Sequence, residues 1–595
     1  MSNYTPAKHI INTPETLVSE SIQGLCYANP NLRILEKDKV IYYSQVKDMA
    51  SNQVTLVSGG GSGHEPGFAS YVGKGGLAAS VCGHVFASPS SSQVLSAIKK
   101  AQSPHGTLVI IMNYTGDCLN FGLAVERAKA CGIKVDLIAV SDDIAVGRSK
   151  GGKVGRRGLA ATALAIKLAG ALASNGAPLD GVKKMVQYTI DNAATLGAAL
   201  DHCHVPGSSS SFTSLDVNDL ELGMGIHNET GCSKLEMMST KDLVSKMIGM
   251  LVDQKDKDRA FLSLPVDKKT PLVVLVNNLG GMAQIELSAV VKEAVDRLLE
   301  LPHVQIERVL VGSFLTSLNM PGFSISLLAV NGDLLGLLDQ KSGMSVWPST
   351  PAYSFSTDVY GKETSDDKLV DTIDNNVGQV VDSKVLEAAI RGATNAVIEA
   401  EPNITSYDTI LGDGDCGQTL KTAALAVIDA IPSYQLSSGP KAVLGIADTI
   451  EHSVGGTSSA IYCIFFNALG SGLLKYAKST VDASVWVAAA RHALDTLMTY
   501  TKARVGDRTL MDTLCPFIHT LNDEGSNLSE AVEAARKGSQ STNNLSAKLG
   551  RTSYLSNEKV LESNVPDAGA YGLAELLTGM VAQTLVTPPA HNTHI

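Results

Sequence analysis

The spacing of apolar residues changes character once along this 595-residue chain, and the change limits what each part can fold into. Up to about residue 347, short β-branched runs recur at 54–57 (VTLV), 108–112 (LVIIM), 133–140 (IKVDLIAV), 271–276 (PLVVLV), 308–311 and 324–330 (SISLLAV). Stretches with helical spacing, such as 121–130, lie between them. This alternation predicts α/β architecture built on parallel sheets. Residues 348–383 are polar, turn-rich and poor in aliphatics, which reads as a linker. Beyond them the strand-like runs stop. Leu386, Ile390, Ala393, Ala396 and Val397 fall at helical spacing, and 419–430, 442–451, 458–473, 485–501, 528–537 and 571–585 follow the same rule. The chain therefore divides into an α/β domain over 1–347, a linker, and an all-α domain of seven or eight helices over 384–595. A soft stretch, Gly207 followed by Ser208, Ser209, Ser210 and Ser211, suggests that the α/β domain has two lobes with a break near 205–220.

Composition excludes several classes of function. Hydrophobic residues at 44% and charged residues at 18% rule out extended disorder. The net charge of -11 argues against broad nucleic-acid binding. The densest basic stretch, Arg148, Lys150, Lys153, Arg156 and Arg157, reads as a solvated loop, with an anion contact or interface as the alternative. The nine cysteines are odd in number and contain no C-x-x-C pair, which fits free thiols in a reducing, cytoplasmic setting. The N-terminus shows no apolar leader, and no apolar run reaches the ~18 residues that would span a bilayer. The Ala-rich run 159–173, interrupted by Lys167, reads as a buried helix.

In parallel α/β sheets ligands gather at the C-terminal ends of the strands, and two of the runs end there in reactive residues. The first leads into Gly59-Gly60-Gly61-Ser62-Gly63-His64-Glu65-Pro66. Glycines let the backbone approach a small ligand and expose its N–H groups. The segment lacks the G-K-[ST] of a P-loop and the second histidine of a zinc protease, so a substrate loop and a tight strand-to-helix turn both remain open. His64 could serve as a general acid or base, because an ordinary imidazole titrates near neutrality. The second run leads into Asn113-Tyr114-Thr115-Gly116-Asp117. Asp117 could accept a proton or bind hydroxyls, or simply cap a helix. Farther on, Gly223-Met224-Gly225-Ile226-His227-Asn228-Glu229 sets a potential nucleophile among glycines, where a structural histidine is the plainer reading. The His202-Cys203-His204 tripeptide lacks a second ligand pair for a metal.

Three carboxylates crowd the start of the helical part: Asp408, Asp413 and Asp415, with Gly412, Gly414, Cys416 and Gly417 around them. Clustered anions repel unless cations bind them. Hard oxygen ligands suit Mg²⁺, which recruits phosphate oxygens and so points to a nucleotide site. A solvated acidic turn is the alternative. Gly455-Gly456-Thr457-Ser458 and Gly506-Asp507-Arg508-Thr509 each open a helix with small donors, as phosphate sites do. Plain capping is also open for both.

Taken together these segments resemble the ATP-dependent dihydroxyacetone kinases, the group that includes fungal enzymes and animal triokinase. The resemblance runs in order through Cys26-Tyr27-Ala28-Asn29-Pro30, SGGGSGHEP, NYTGD, GRRG, ELGMGIHNE, NNLGG, GDGDCG and GDRT to Pro566-Asp567-Ala568-Gly569, nearly the whole chain. It implies an N-terminal substrate domain of two α/β lobes and a C-terminal helical barrel that holds ATP and two Mg²⁺. It implies that His227 binds the substrate carbonyl covalently as a hemiaminal. His64 and Asp117 would contact the substrate hydroxyls and assist proton transfer, and Gly61, Ser62 and Gly63 would line the substrate. Asp408, Asp413 and Asp415 would hold Mg²⁺. Gly414, Cys416, Thr457, Ser458, Thr509, Leu510, Asp567, Ala568 and Gly569 would lie along the nucleotide. The implied activity is phosphorylation of dihydroxyacetone, and of D-glyceraldehyde, by a cytoplasmic homodimer that needs neither nucleic acid nor membrane. Two positions depart from the family pattern. Met112 stands at a substrate-site position where a lysine is usual, and Asn228 stands where glycine is common. A non-catalytic triose-binding regulator on the same scaffold is the alternative, and it predicts loss of the Asp cluster or of His227, both of which are present.

Overall fold

The computed structural model describes residues 8–151, 154–208, 215–348, 355–358, 380–477, 481–523, 527–549 and 556–586. Lys153, most of the expected linker, and Ser209, Ser210 and Ser211 lie outside the described residues. The chain forms two compact units, Met1–Tyr360 and Gly361–Ile595.

The first unit contains two six-stranded sheets. The first sheet comprises β1 (Leu32–Leu35), β2 (Val40–Tyr43), β3 (Thr55–Ser62), β4 (Ala79–Val85), β5 (Thr107–Met112) and β6 (Val135–Val140), in the order β1-β2-β4-β3-β5-β6. Strands β4, β3, β5 and β6 are parallel, with β6 at one edge, and β1 and β2 form an antiparallel pair at the other. The second sheet comprises β7 (Ala193–Ala199), β8 (Asp219–Leu222), β9 (Ser233–Glu236), β10 (Thr270–Asn278), β11 (Val304–Gly312) and β12 (Gly322–Ala329), in the order β11-β10-β12-β7-β8-β9. Only β10 and β11 run parallel there, so the expectation of parallel sheets holds for the first sheet alone. The change of sheet also comes before the soft stretch near 205–220, because β7 already belongs to the second sheet. The β7 sequence, AATLGAA, has one β-branched residue, and its alanines conceal a buried strand from a periodicity reading.

The helix Ala161–Ser174 packs between the sheets, against β3, β5, β6, β7 and β12. Its alanines allow close approach on every side, and one hydrophobic cluster runs through it from Leu56 and Leu108 to Val273 and Leu328. Lys167 is fully buried within it. Its ammonium donates to the carbonyls of Leu337 (3.1 Å) and Gln340 (2.5 Å), at the C-terminal end of the helix Gly332–Asp339, where a cation is favoured. The basic stretch is structural as well. Arg148 and Arg156 sandwich Phe261 at 4.0 and 4.1 Å, and Arg156 donates to the carbonyls of Ile190 and Ala193.

The second unit is a ring. Ser383–Leu411, Cys416–Ala430, Gly439–Ser453, Gly456–Tyr476, Ala483–Tyr500, Met511–Leu521 and Leu528–Ser541 pack each against the next. Ala568–Val586 then closes the ring against both Leu528–Ser541 and Ser383–Leu411. With the short Asn557–Glu562, nine α-helices stand among the described residues, where the spacing predicted seven or eight. Met511–Leu521 escaped because Pro516 sits inside it, and Asn557–Glu562 because six residues carry too little periodicity. Ser383–Leu411 runs on past Pro402 under the packing of its two neighbours. Gly456–Tyr476 is long and apolar enough, with a mean hydropathy of 1.3, to cross a membrane by length and composition. The spacing predicts a helix over 458–473 with no apolar run of ~18 residues; Asn467 and three serines lie within the helix, which packs between two others in the ring.

The glycine cluster at 59–61 is the end of β3 rather than a turn after it. Gly59 has φ +154°, and a Cβ there would overlap the Val81 carbonyl oxygen of β4. Gly59→Ala is expected to destabilise the first unit by about 3 kcal/mol, read as a lower urea midpoint at unchanged slope.

Candidate active site

In the first unit, four loops meet where the two sheets abut. His64 follows β3. Asp117 sits in the first turn of the helix Thr115–Ala130, just past β5. His227 lies between β8 and β9, and residues 314–318 follow β11. Fully buried Asn277 of β10 fixes the last of these, since its amide donates to the Leu315 carbonyl (2.7 Å) and its oxygen accepts from Phe314 N (2.8 Å). That segment in turn grips the other loops. Leu318 N donates to the Gly63 carbonyl (2.7 Å), the Thr316 hydroxyl to the Glu65 carbonyl (2.7 Å), and the Ser317 hydroxyl to the Ile226 carbonyl (2.5 Å).

The two histidines meet with Nε2 3.0 Å from Nε2. His64 Nδ1 lies 2.8 Å from the Thr316 carbonyl, which can only accept, so the His64 proton sits on Nδ1 and its Nε2 is an acceptor. Burial, assisted by His227, pushes the His64 pKa down to about 3. Desolvation thus favours the neutral ring at ordinary pH. His227 Nδ1 faces Glu229 Oε1 at 3.0 Å, and the His227 backbone N–H donates to Glu229 Oε2 at 2.9 Å. Burial alone would raise Glu229, but these bonds from His227 hold it down to about 2. Phe86 stacks on His64, and the rings of Phe86 and Tyr114 meet His227 edge-on at 5.0 and 4.7 Å. Asp117 is 5% exposed and accepts from the Ser88 hydroxyl at 2.6 Å. Burial pushes it up to about 6 against that bond.

Gly61 and Ser62 end β3, with the Ser62 hydroxyl on the Gly83 carbonyl, and Gly63 N donates to the Glu65 carboxylate (2.9 Å). Met112 ends β5 with its side chain in the hydrophobic core. It offers no polar atom to the histidines. A cavity of about 560 Å³ lies beside Gly60, Gly61 and Ser62, walled by Ile22, Leu25, Phe68 and Cys82; His64, Asp117 and His227 do not line it.

In the second unit the three aspartates converge. Asp408, Asp413 and Asp415 bring carboxylate oxygens within 4.8 Å of one another, the one such cluster of potential metal ligands among the described residues. Asp408 Oδ2 accepts from Cys416 N (3.0 Å), which folds the loop back on the end of the Ser383–Leu411 helix. Gly414 makes the turn at φ +79°, and a Cβ there would press on Thr409 Oγ1 at 2.8 Å. Three aspartates bring six carboxylate oxygens, all hard donors, which fit Mg²⁺. Ser458, in the first turn of Gly456–Tyr476, bonds the Cys416 thiol, with Thr457 exposed beside it. Asp512 accepts from Gly506 N (2.6 Å) and Thr509 N (2.8 Å), and so holds Thr509 and Leu510. Arg508 donates to the Val565 carbonyl (2.7 Å), and Asp567 caps Ala570 N (2.8 Å). The loop containing Asp567, Ala568 and Gly569 thus lies against Leu510.

Comparison with known proteins supplies the context. A Dak1 domain matches residues 23–345 and a DAK2 domain residues 410–582. Dihydroxyacetone kinase 2 of Saccharomyces cerevisiae is 41% identical over 585 residues, covering 95% of this chain and 97% of the relative. The chain belongs to the dihydroxyacetone kinase family. Triokinase/FMN cyclase of Homo sapiens is 34% identical, covering 97% of this chain and 99% of its own. The dihydroxyacetone kinase of C. freundii, solved in complex with AMP-PNP and Mg²⁺, superposes with a TM-score of 0.63 at 31% identity, over 97% of this chain and 99% of that one. The two-part fold, α/β then all-helical, is that of this kinase family.

Within the family frame, Asn228 finds its reason. Its φ is +64°, the left-handed region that glycine enters freely and asparagine tolerates. Its side chain also stitches the loop to Cys203, accepting from that residue's N (2.9 Å) and donating to its carbonyl (3.0 Å). Sequence reasoning passed over Glu229, Phe86, Tyr114, Ser88 and Asn277 as site-building residues. Glu229 carried a signal, being two residues after the histidine, but Phe86 and Ser88 reach the site only through the fold.

Acid sensitivity tests the state of His64. Its folded value of about 3 lies below its ordinary 6.5, so between those values the unfolded chain binds a proton that the folded chain refuses. Stability is therefore expected to fall as pH drops from 6.5 toward 3, by at most about 1.4 kcal/mol per pH unit from this group. Urea unfolding at several pH values should show a shallower decline for His64→Asn.

Proposed function

We propose that this chain transfers the γ-phosphoryl group of ATP to dihydroxyacetone, and to D-glyceraldehyde, with Mg²⁺, and that it works as a cytoplasmic homodimer. The observation that carries the reading is the His64–His227–Glu229 chain, with Asp117 beside it, in a protein whose other unit gathers three aspartates fit to hold Mg²⁺. His227 Nε2 would attack the carbonyl carbon of the triose, forming a hemiaminal. Only a carbonyl compound can make that bond, so glycerol is rejected by chemistry rather than by a missing contact. Asp117 would take the proton of the hydroxyl that attacks phosphorus, since a carboxylate titrating near 6 is ionised at neutral pH and still basic enough to accept. His64, neutral at rest and an acceptor at Nε2, would orient a hydroxyl and hold a proton only in passing. Asp408, Asp413 and Asp415 would hold Mg²⁺, which supplies charge neutralisation on the phosphates. All nine cysteines are free thiols, in keeping with a cytoplasmic location.

Turnover of dihydroxyacetone with Mg-ATP, measured through a coupled assay, is the test, and its absence in folded protein would sink the proposal. A regulatory protein would bind the triose without consuming ATP. Asp117→Asn is expected to lower kcat by roughly 10²- to 10⁴-fold. The wild-type rate should fall below about pH 6, where Asp117 takes up a proton. Asp413→Asn should raise the Mg²⁺ concentration needed for half-maximal rate while leaving the KM for the triose unchanged. Light scattering on the purified chain tests the dimer.

A further inference from the structure

We propose that Glu229 is a positioning residue for carbonyl capture: it holds the His227 ring by Nδ1 and balances the positive charge that bond formation at Nε2 leaves on that ring. The inference rests on the covalent-capture reading above. Its basis is the hydrogen-bond inventory of the site. The Thr316 carbonyl commits the His64 proton to Nδ1, so His64 Nε2 can only accept. The 3.0 Å contact between the two Nε2 atoms therefore takes its proton from His227. The Glu229 carboxylate likewise can only accept, so the 3.0 Å contact at His227 Nδ1 takes a second proton from the same ring. Both contacts are met together when His227 donates from each of its nitrogens.

Glu229 is built for this part. One of its oxygens binds the His227 ring and the other binds the His227 backbone N–H, a two-point grip that fixes the ring plane. Burial disfavours its charge, yet the carboxylate stays ionised far below neutral pH. Arg157 helps to keep it so. Both Glu229 Oε2 and Arg157 Nη1 occupy the space where Gly225 would otherwise carry a side chain. Arg157 is itself braced by Asp143 (2.7 Å) and the Gly223 carbonyl (2.7 Å). The other charged or titratable groups around His227 are His64, Asp117 and Tyr114.

The capture step then balances without solvent. The Nε2 proton of His227 passes to His64 Nε2. The freed Nε2 lone pair forms the bond to the carbonyl carbon, and the carbonyl π pair moves to oxygen. That oxygen takes the proton from His64, a weak base in its buried place and so a ready donor. The ring ends as an N-alkyl imidazolium with Nδ1–H still directed at ionised Glu229. Charge on the ring is the same before and after, so the carboxylate that stabilises the resting ring also stabilises the adduct.

The test uses full-length protein labelled with ¹⁵N-histidine and [2-¹³C]dihydroxyacetone, observed by magic-angle-spinning NMR. A one-bond ¹³C–¹⁵N coupling separates the adduct from hydrated triose, whose carbon is also tetrahedral. Wild type is expected to show the coupling. Glu229→Gln, which keeps the shape but not the charge, is expected to lose it at matched concentrations. Its KM for dihydroxyacetone should rise roughly 10- to 100-fold while the KM for ATP stays unchanged. A folded Glu229→Gln protein with the wild-type coupling and triose KM overturns the proposal. If that variant does not fold, the wild-type adduct decides: a proton bonded to Nδ1 of the alkylated ring supports the role, and a bare Nδ1 overturns it. Turnover in wild type without any ¹³C–¹⁵N coupling overturns it too, while leaving the kinase reading intact. A Glu229-dependent coupling without turnover supports it and sinks the kinase reading instead.

Discussion

A single hydrogen bond, Nε2 to Nε2 between His64 and His227, joins residues 163 positions apart and sets the terms for the rest of the first unit. Each ring belongs to a different sheet's loops, so the bond exists only if both sheets present their ends to each other. The helix Ala161–Ser174 fixes that spacing from within, and the 314–318 segment ties the loops together through the Leu318 N–H and the hydroxyls of Thr316 and Ser317. Buried Asn277 is the peg on which this segment hangs. A change at Asn277 would therefore reach both histidines without touching either.

Burial divides the chemistry between His64 and Asp117. The same desolvation that holds His64 neutral raises Asp117 into the range where a carboxylate can exchange protons. Glu229 stands against the far side of His227, with Arg157 behind. Aromatic rings on two further sides leave the ring few ways to turn.

The second unit reaches its site by another route. It has no sheet edge to gather loops, so it closes helices into a ring, and Ala568–Val586 completes the circuit against the helix that carries Asp408. Closure brings the 567–569 loop, from the far end of the unit, against the loop after residue 506. Glycines at the turns let three like charges approach within ligand distance, an arrangement with little reason to persist unless a cation shares it.

Much of this was legible in the residues. The switch from β-branched runs to helical spacing separated an α/β part from a helical one, because backbone period is a local property. Glycine, histidine and aspartate at strand ends, and carboxylates packed into eight positions, marked the chemistry for the same reason. Tertiary structure alone decided the remainder. It put β7 in the second sheet despite its alanines, gave Met112 to the core, and made Asn228 a brace. It also took His64 out of solvent. A pKa is set by what surrounds a group in three dimensions, and neither the desolvation of His64 nor the ionised partner of His227 can be read from neighbours in sequence. Local pattern dictated which elements form and which residues could react; only the meeting of distant loops decided which nitrogen holds a proton.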